Sequence, residues 1–337
     1  MTNAEYKAAK RKLTASSARQ VLKKLRQIRI MYTKSAARTE KVIARLPGGT
    51  LSPSNRAKIL KSVNRNALYD KIVGYIDDGR KTLVSDAFSV DKKYLEDAFK
   101  SIGKIVNLSP MFDRQAERIN KKYKAKNTLG YVPVAANSFV VRNRAEYTLS
   151  SAIWESIDGY SDKILAIVQA ELEAGTDPVK IARLIEQYLA GGAEVVLGRW
   201  GDLKIGTTEY RKRLGTKGAD YRTQRVVRTE MYSARRDADI KSGEMNPGAT
   251  DKFTWHLSPA SNHCDECEEN ASGGPYTADE VQDMNNNIHP QCSCYVEPVM
   301  KNEDDFVQSL RDYVHGEDTA GAAEIETWAS KYGFDTE

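Results

Sequence analysis

Residues 264–294, CDECEENASGGPYTADEVQDMNNNIHPQCSC, contain all four cysteines of the 337-residue chain. The cysteines form a C-x-x-C pair and a C-x-C pair, and a histidine lies three residues before the second pair. A C-x-x-C turn lets two thiolates face one tetrahedral ion, and a second group of ligands after a loop can complete the coordination. We therefore predict a metal site whose candidate ligands are Cys264, Cys267, His289, Cys292 and Cys294.

Five candidate groups compete for the four places of a tetrahedral site. Either the four cysteines bind together, or His289 replaces Cys292 or Cys294. The spacing does not choose between these sets. His263 is a further candidate, but its position beside Cys264 makes simultaneous binding of both side chains difficult.

Two arrangements without metal compete with this interpretation, namely a pair of disulfides and four reduced cysteines packed as small apolar residues. The first 30 residues lack the apolar stretch of a signal peptide, which argues against disulfides. The polar neighbours of the cysteines argue against simple apolar packing. We expect a structural Zn²⁺ because a cysteine-rich shell is normally closed, whereas a catalytic zinc keeps an open position. Glu266 and Glu268 are interpreted as solvated acids and not as catalytic bases.

The rest of the chain has mainly helical periodicity, and we predict a mainly α fold with a small α+β zinc-stabilised C-terminal module. Apolar residues at helical spacing predict long helices, and Lys252–Leu257 alternates Phe253, Trp255 and Leu257 as a strand does. Tyr131–Val141 is predicted as an extended arm or edge strand. The predicted segments are a basic helical region (1–130), a helical middle domain (131–250), the zinc-clamped module (251–300) and an acidic helical tail (301–337).

The charge of the chain is strongly polarised. Residues 1–150 hold 32 Lys and Arg against 12 Asp and Glu, a net +20, whereas residues 251–337 hold 4 basic and 19 acidic residues, a net −15. A basic half joined to an acidic end indicates different partners, the basic part being suited to polyanions or acidic protein surfaces. No apolar run reaches the roughly 20 residues needed to cross a bilayer, so we expect no membrane partner.

In order along residues 150–300, several motifs resemble those of the phage Mu F-like minor head proteins, also called head morphogenesis proteins. The features that carry the resemblance are Arg228-Thr229-Glu230 on a helix, Ala234, Trp255, Cys264-x-x-Cys267, Tyr276 and His289-Pro290-x-Cys292-x-Cys294. The combination is fairly specific, although each part alone would be weak. The basic N-terminal third contains no motif of the family.

This resemblance implies a structural virion component near the portal vertex that acts in head assembly and in DNA packaging and delivery. The expected location is the head interior or portal vertex, and the host cytoplasm during assembly. Portal protein is the expected partner, with the major capsid or scaffolding protein and packaged DNA as further candidates, the DNA contacted through the basic N-terminal region. The resemblance implies no enzyme activity and no catalytic residue.

Three other functions are weighed against this one. A zinc-supported nuclease would use His289 and Asn285–Asn287, but a single histidine is too few for the usual pattern. A DNA- or RNA-binding regulator with a zinc ribbon would need basic residues around the cysteines, where Lys252 is the only one between 251 and 300. An ADP-ribosyltransferase-like or nuclease-like site at Arg225, Arg228 and Glu230 lacks a partner motif.

Glu230 has no arginine three or four residues away on its own helix. We therefore expect its partner to come from another segment of the chain.

Overall fold

The computed structural model describes residues 1–123, 149–185, 221–258, 263–289 and 291–334. Most of these residues are helical, and a small three-stranded antiparallel sheet lies near the C-terminus. The predicted fold class is confirmed. The extended arm or edge strand predicted at Tyr131–Val141 lies outside the described residues. Within the described residues, no helix combines the length and apolarity that a membrane span requires.

The regular elements follow one another along the chain, with a further helical segment at 178–185. They are α1 (Asn3–Ile43), α2 (Pro53–Val63), α3 (Arg65–Ser101), α4 (Ser109–Lys122), α5 (Leu149–Glu173), α6 (Tyr221–Glu244), β1 (Ala249–His256), α7 (Asp265–Gly273), β2 (Tyr276–Thr277), α8 (Ala278–Asn287), β3 (Tyr295–Met300), α9 (Glu303–His315) and α10 (Ala320–Tyr332).

Capping side chains mark the starts of two helical segments. Ser52 caps α2, because its side chain accepts a hydrogen bond from the backbone N–H of Asn55, and Pro53 occupies the first turn. The side chain of Asp177 likewise accepts a hydrogen bond from the backbone N–H of Val179 at 2.8 Å, at the start of the segment 178–185. Each cap therefore satisfies a backbone donor that the helix itself leaves free.

The described residues belong to two compact units, each assembled from segments that are distant in the sequence. Unit 1 comprises Met1–Val21, Asp77–Glu146 and Arg228–Glu337, and unit 2 comprises Leu22–Ile76 and Tyr147–Val227. These units differ from the four consecutive segments predicted from the sequence. The physical reason is that α1, α3 and α6 are long enough to contribute residues to both units.

Unit 2 contains the second part of α1, all of α2 and α5, and the start of α3. The Ser35 hydroxyl of α1 donates to the Val63 carbonyl of α2 at 3.0 Å. The Tyr32 ring packs edge-on against Tyr160 of α5, with ring centroids 4.8 Å apart. The buried apolar residues include Ile28, Ile59, Ile72, Ile157 and Ile164. The apolar stripes seen in the sequence therefore form the core of this unit.

The helical core of unit 1 is formed by the start of α1, the second part of α3, α4, α6, α9 and α10. Its largest members are aromatic or long apolar residues, including Tyr94, Phe99, Phe112, Phe306 and Trp328. The Trp328 indole N–H donates to the Met245 carbonyl at 2.7 Å, which satisfies its polar atom inside the core.

The sheet of unit 1 has the strand order β2-β1-β3, and both pairings are antiparallel. Phe253 and Trp255 of β1 are almost completely buried and belong to a second apolar cluster that includes three of the cysteines. Their predicted position on one face of a strand is confirmed. Ile240 of α6 joins the same cluster, so the sheet and the cysteines pack against a helix that precedes them in the chain.

A buried network of charged residues connects the helices of unit 1. Lys10 of α1 contacts Asp91 of α3 at 2.7 Å and Asp239 of α6 at 3.3 Å, and Arg235 contacts Asp239 at 2.6 Å. Asp91 also accepts hydrogen bonds from Tyr6, Ser242 and Asn246. Burial alone would raise the pKa of Asp91, but the Lys10 charge and these hydrogen bonds outweigh burial and hold the pKa below its usual value.

Replacing Asp91 is expected to destabilise the protein strongly. Asp91→Asn leaves Lys10 with less compensating charge in a buried place, at a cost of about 3 to 5 kcal/mol in the free energy of unfolding. The exposed Asp113→Asn is the matched control and should cost less than about 0.5 kcal/mol. Chemical denaturation measures both values.

The effect of Asp91 should also depend on pH in a defined direction. Because its folded-state pKa is lowered, its stabilising contribution is present above the unfolded carboxyl pKa of about 4 and is lost as the pH falls through the folded-state value. The difference between wild type and Asp91→Asn should therefore shrink in acid. A difference that grows in acid, or equal losses for Asp91→Asn and Asp113→Asn, contradicts the assigned role.

Candidate metal centre

The first two candidate ligands lie at the start of α7. Cys264 is the N-cap residue, and its carbonyl accepts hydrogen bonds from the backbone N–H groups of Cys267 and Glu268 at 3.0 and 3.1 Å. One helical turn therefore brings the two cysteines to the same end of the helix. The positive end of the helix dipole favours thiolates at this position.

The structure brings all five predicted ligands together around one sulfur. Cys264, Cys267 and His289 form one triad, and Cys267, Cys292 and Cys294 form another, with the ligand atoms of each triad within 4.8 Å of one another. The Cys267 Sγ lies 3.2 Å from His289 Nε2 and 3.6 Å from Cys292 Sγ. Cys267 is shared by both triads and is therefore the centre of the cluster.

The cluster is largely shielded from solvent. Cys267, Cys292 and Cys294 are at most 3% exposed, whereas Cys264 and His289 are half-buried. The Cys267 and Cys292 sulfurs share a hydrogen bond, and this contact raises the pKa of Cys267 and lowers the pKa of Cys292. Because neighbouring thiolates repel each other, only one of these cysteines ionises readily while the others stay protonated. Ionisation of the other thiols needs a bound cation.

The four cysteines are free thiols, and the Cys267 to Cys292 separation of 3.6 Å is far longer than a disulfide bond of about 2.05 Å. Simple apolar packing does not explain the imidazole nitrogen of His289 in contact with the Cys267 sulfur. His263 points elsewhere, since its Nε2 donates to the Ser258 carbonyl at 2.9 Å. The chemistry and spacing of the donor set fit a metal ion.

Arg236 of α6 binds the backbone of the second cysteine pair. Its guanidinium is 1% exposed and donates to the carbonyl oxygens of Cys292 at 3.3 Å and Cys294 at 3.0 Å. It also lies over the Trp255 ring, 5.8 Å from the centroid. Because its positive charge faces Cys292, it contributes to lowering the pKa of that thiol. Arg236 therefore fixes the backbone of two ligands and favours the thiolate form of one.

Asn285 of α8 forms the next layer of this support. Its Oδ1 accepts from Arg236 Nε at 2.7 Å, and its Nδ2 donates to the Asp237 carboxylate at 2.7 Å and to the Ser233 carbonyl at 3.1 Å. Lys122 of α4 contacts the other oxygen of Asp237 at 2.6 Å. Hydrogen bonds of this kind orient metal ligands and restrict their movement.

The loop before Cys292 is held by the Arg-Thr-Glu segment of α6. Gln291 has a φ of 71°, a left-handed backbone conformation that residues other than glycine rarely adopt. Its backbone N–H donates to the Thr229 hydroxyl at 2.9 Å, and its side-chain oxygen accepts from Arg228 at 3.2 Å. These two contacts stabilise the turn that directs Cys292 toward Cys267.

Glu230 does not take part in these contacts. It is 2% exposed, and burial raises its pKa to about 8, while the charge of Arg80 lowers it only in part. Arg80 belongs to α3 and forms its salt bridge with Asp77, so it acts on Glu230 through its charge. The partner expected for Glu230 from another segment stays a prediction. A carboxyl group with this pKa is largely protonated at neutral pH.

Two residues of the site, Arg236 and Gln291, received no role from the sequence. The signal for Arg236 is a polar stripe at helical spacing on α6, formed by Thr229, Ser233, Arg236 and Asp237, all of which are buried. A buried polar stripe needs partners and therefore indicates a polar network. No sequence signal marks the left-handed conformation of Gln291, because glutamine rarely adopts it.

Comparison of the chain with models of protein families, with curated proteins and with solved structures found no match. The resemblance to the Mu F-like minor head proteins therefore rests on the motifs alone.

The shared position of Cys267 predicts unequal effects of cysteine substitutions. Cys267→Ser breaks both triads and should abolish metal binding, whereas Cys264→Ser leaves the triad of Cys267, Cys292 and Cys294 intact and should retain weakened binding. Elemental analysis of proteins purified without chelator measures both contents. Equal metal contents in the two variants, or a Cys267→Ser protein that keeps its metal, contradicts a centre built around Cys267.

Arg236→Lys is expected to lower metal affinity without removing a ligand. A lysine cannot reproduce the guanidinium fork, so the carbonyls of Cys292 and Cys294 lose their fixed partner, and affinity should fall about 10- to 100-fold. Competition with a chromophoric chelator measures the change. The exposed Arg311→Lys is the control and should behave as wild type. An unchanged affinity for Arg236→Lys with normal circular dichroism would show that this support is not needed.

Proposed function

We propose that this chain is a structural minor head protein of a tailed phage, located near the portal vertex, whose C-terminal module is clamped by Zn²⁺. The observation that carries the proposal is the contact between the two most specific motifs of the resemblance. Arg228 and Thr229 bind Gln291, which lies inside the His289 to Cys294 motif. Residues separated by about 60 positions thus form one structural unit, which explains why these motifs occur together.

Zinc is the ion that this donor set suits best. Thiolates and imidazole are its usual protein ligands, and a tetrahedral site with metal–sulfur distances of about 2.3 Å places neighbouring ligand atoms roughly 3.5 to 3.8 Å apart. The measured separations of 3.6 and 3.2 Å from Cys267 are close to this range. Small shifts of His289 on binding bring its nitrogen into the coordination sphere.

A structural role for the ion fits the burial and support of the site. Four of the five donors close a tetrahedral shell, which leaves no open position for a reacting water. Asn285, a candidate of the alternative nuclease function, is 1% exposed, and both ends of its amide are bonded to α6. It is therefore occupied in supporting the ligands and does not face a substrate. We propose that the protein has no enzymatic activity.

The polarised charge of the chain supports two kinds of partner in the head. The acidic end and the basic N-terminal half are suited to different surfaces. We propose portal protein as the main partner, with the major capsid or scaffolding protein as a transient neighbour during assembly. Packaged DNA is proposed as the partner of the basic N-terminal region.

Purified heads test this function directly. Heads isolated from the phage or induced prophage that encodes the chain should contain it in far fewer copies than the major capsid protein, as quantitative mass spectrometry measures. The Cys267→Ser variant should enter heads at least about tenfold less, because the unclamped module loses the binding free energy of its metal. The conservative control Cys264→Ser should enter more efficiently than Cys267→Ser.

Heads that lack the wild-type protein contradict the proposal. Cleavage of plasmid DNA by the metal-loaded protein, lost in Cys267→Ser, would support the nuclease alternative instead.

A further inference from the structure

A row of positive charge, interrupted at the exposed Ile30, lies on the exposed side of α1 within unit 2. Six exposed cations follow one another at spacings that keep them on one side of a helix, and we name them the basic stripe: Lys23, Arg26, Lys34, Arg38, Lys41 and Arg45. Arg45 lies in the turn that directly follows the helix. Lys23 and Arg45 are 22 residue steps apart, which corresponds to about 33 Å at a helical rise of about 1.5 Å per residue.

The buried side of the same helix faces the opposite direction. Ile28, Tyr32, Ser35 and Thr39 are all at most 1% exposed, and they lie roughly half a turn away from the stripe. Ser35 and Thr39 are bonded to residues of α2, which fixes the orientation of α1 in unit 2. The basic stripe is therefore held facing outward by the packing of the opposite face.

The charge of this region is of one sign. Residues 22–65 contain twelve Lys and Arg and a single acid, Glu40. None of the six stripe residues forms an ion pair with any residue that the structure describes. Arg38 has a like charge four residues before it, at Lys34, and three residues after it, at Lys41, and such pairs destabilise a helix. A surface kept only for solubility mixes both signs, so this pattern indicates an anionic partner.

The composition of the surface favours a phosphate backbone over a protein partner. Protein interfaces are depleted in lysine and are centred on buried apolar residues. The large apolar residues exposed on this part of α1 are Leu22 and Ile30, at 49% and 54%, and single exposed apolar residues are common on ordinary surfaces. The stripe length of about 33 Å is close to one turn of duplex DNA, about 34 Å.

We propose that the basic stripe binds the backbone of double-stranded DNA without reading its sequence. Phosphate contacts from Lys and Arg position a protein on the duplex but carry no base information. The inference rests on the proposed function in one respect, the choice of double-stranded DNA as the polyanion. It goes beyond that function by assigning the contact to one helix face of unit 2 and to six named side chains.

The salt dependence of DNA binding tests the stripe. Fluorescence anisotropy with a labelled duplex of 30 base pairs should give a slope of log K against log salt of about −5 for six phosphate contacts, and an affinity about 10³-fold lower at 200 mM than at 50 mM salt. Duplexes of unrelated sequence should bind alike. The triple variant Lys34→Gln, Arg38→Gln, Lys41→Gln should reduce the magnitude of the slope by about 3.

A matched triple variant of unit 1 controls for total charge. Lys81→Gln, Lys100→Gln and Lys104→Gln remove three exposed lysines outside the stripe and should change affinity less than about threefold at 100 mM salt. Thermal unfolding of both triple variants checks that they remain folded. Equal losses in the two variants, a slope near zero, or tighter binding to an acidic polypeptide than to DNA would overturn the assignment, the last in favour of a protein partner.

The outcome is separable from that of the proposed function. A purified protein that fails to bind DNA but is present in heads removes the stripe assignment alone. A protein that binds DNA through the stripe but is absent from heads removes the minor head function and leaves the DNA-binding face in place.

Discussion

The sulfur of Cys267 is the point around which the C-terminal module is built. It is 1% exposed, lies within reach of the other four donors and packs in the same apolar cluster as Phe253 and Trp255. Bringing thiols and an imidazole together in a buried place is unfavourable if several of them ionise, and a bound cation removes this conflict.

Helix α6 transmits this constraint to the rest of unit 1. Arg236 and Asp237 contact the module through the cysteine carbonyls and Asn285, while Arg235 and Asp239 join the buried charge network with Lys10. Neighbouring residues of one helix therefore contact both the segment that carries Cys292 and Cys294 and the helical core of unit 1. Removing a partner from either network leaves a buried charge without compensation, which is costly. We infer that the module and the helical core of unit 1 stabilise each other through α6.

Much of the fold, and the set of side chains that could bind a metal, could be predicted from the sequence. Helical periodicity predicted the helices, because this signal acts over a few residues. The five donors could be named because cysteines in two short pairs with an adjacent histidine are rare by chance. The sequence left open which four donors bind, and the shared position of Cys267 now shows which ligand both triads need.

Other features depend on contacts between distant segments, which sequence patterns do not specify. Unit 1 combines residues from both ends of the chain and unit 2 combines two internal segments, whereas composition suggested four consecutive segments. In the sequence, Arg236 is one of several arginines on the same helix. Its role is visible only in the structure, where it donates to the carbonyls of Cys292 and Cys294. The charge that acts on the buried Glu230 comes from Arg80 of α3, and nothing in the sequence identified Arg80.

X-ray absorption spectroscopy at the zinc edge of the purified protein measures the ligand atoms of the proposed clamp and their distances. We expect a tetrahedral shell dominated by sulfur at about 2.3 Å, with either four sulfurs or three sulfurs and one nitrogen at about 2.0 Å. A spectrum with three sulfurs assigns His289 to the shell, and one with four sulfurs leaves it outside. A shell of oxygen and nitrogen alone, or protein that holds no zinc after purification without chelator, would contradict the clamp.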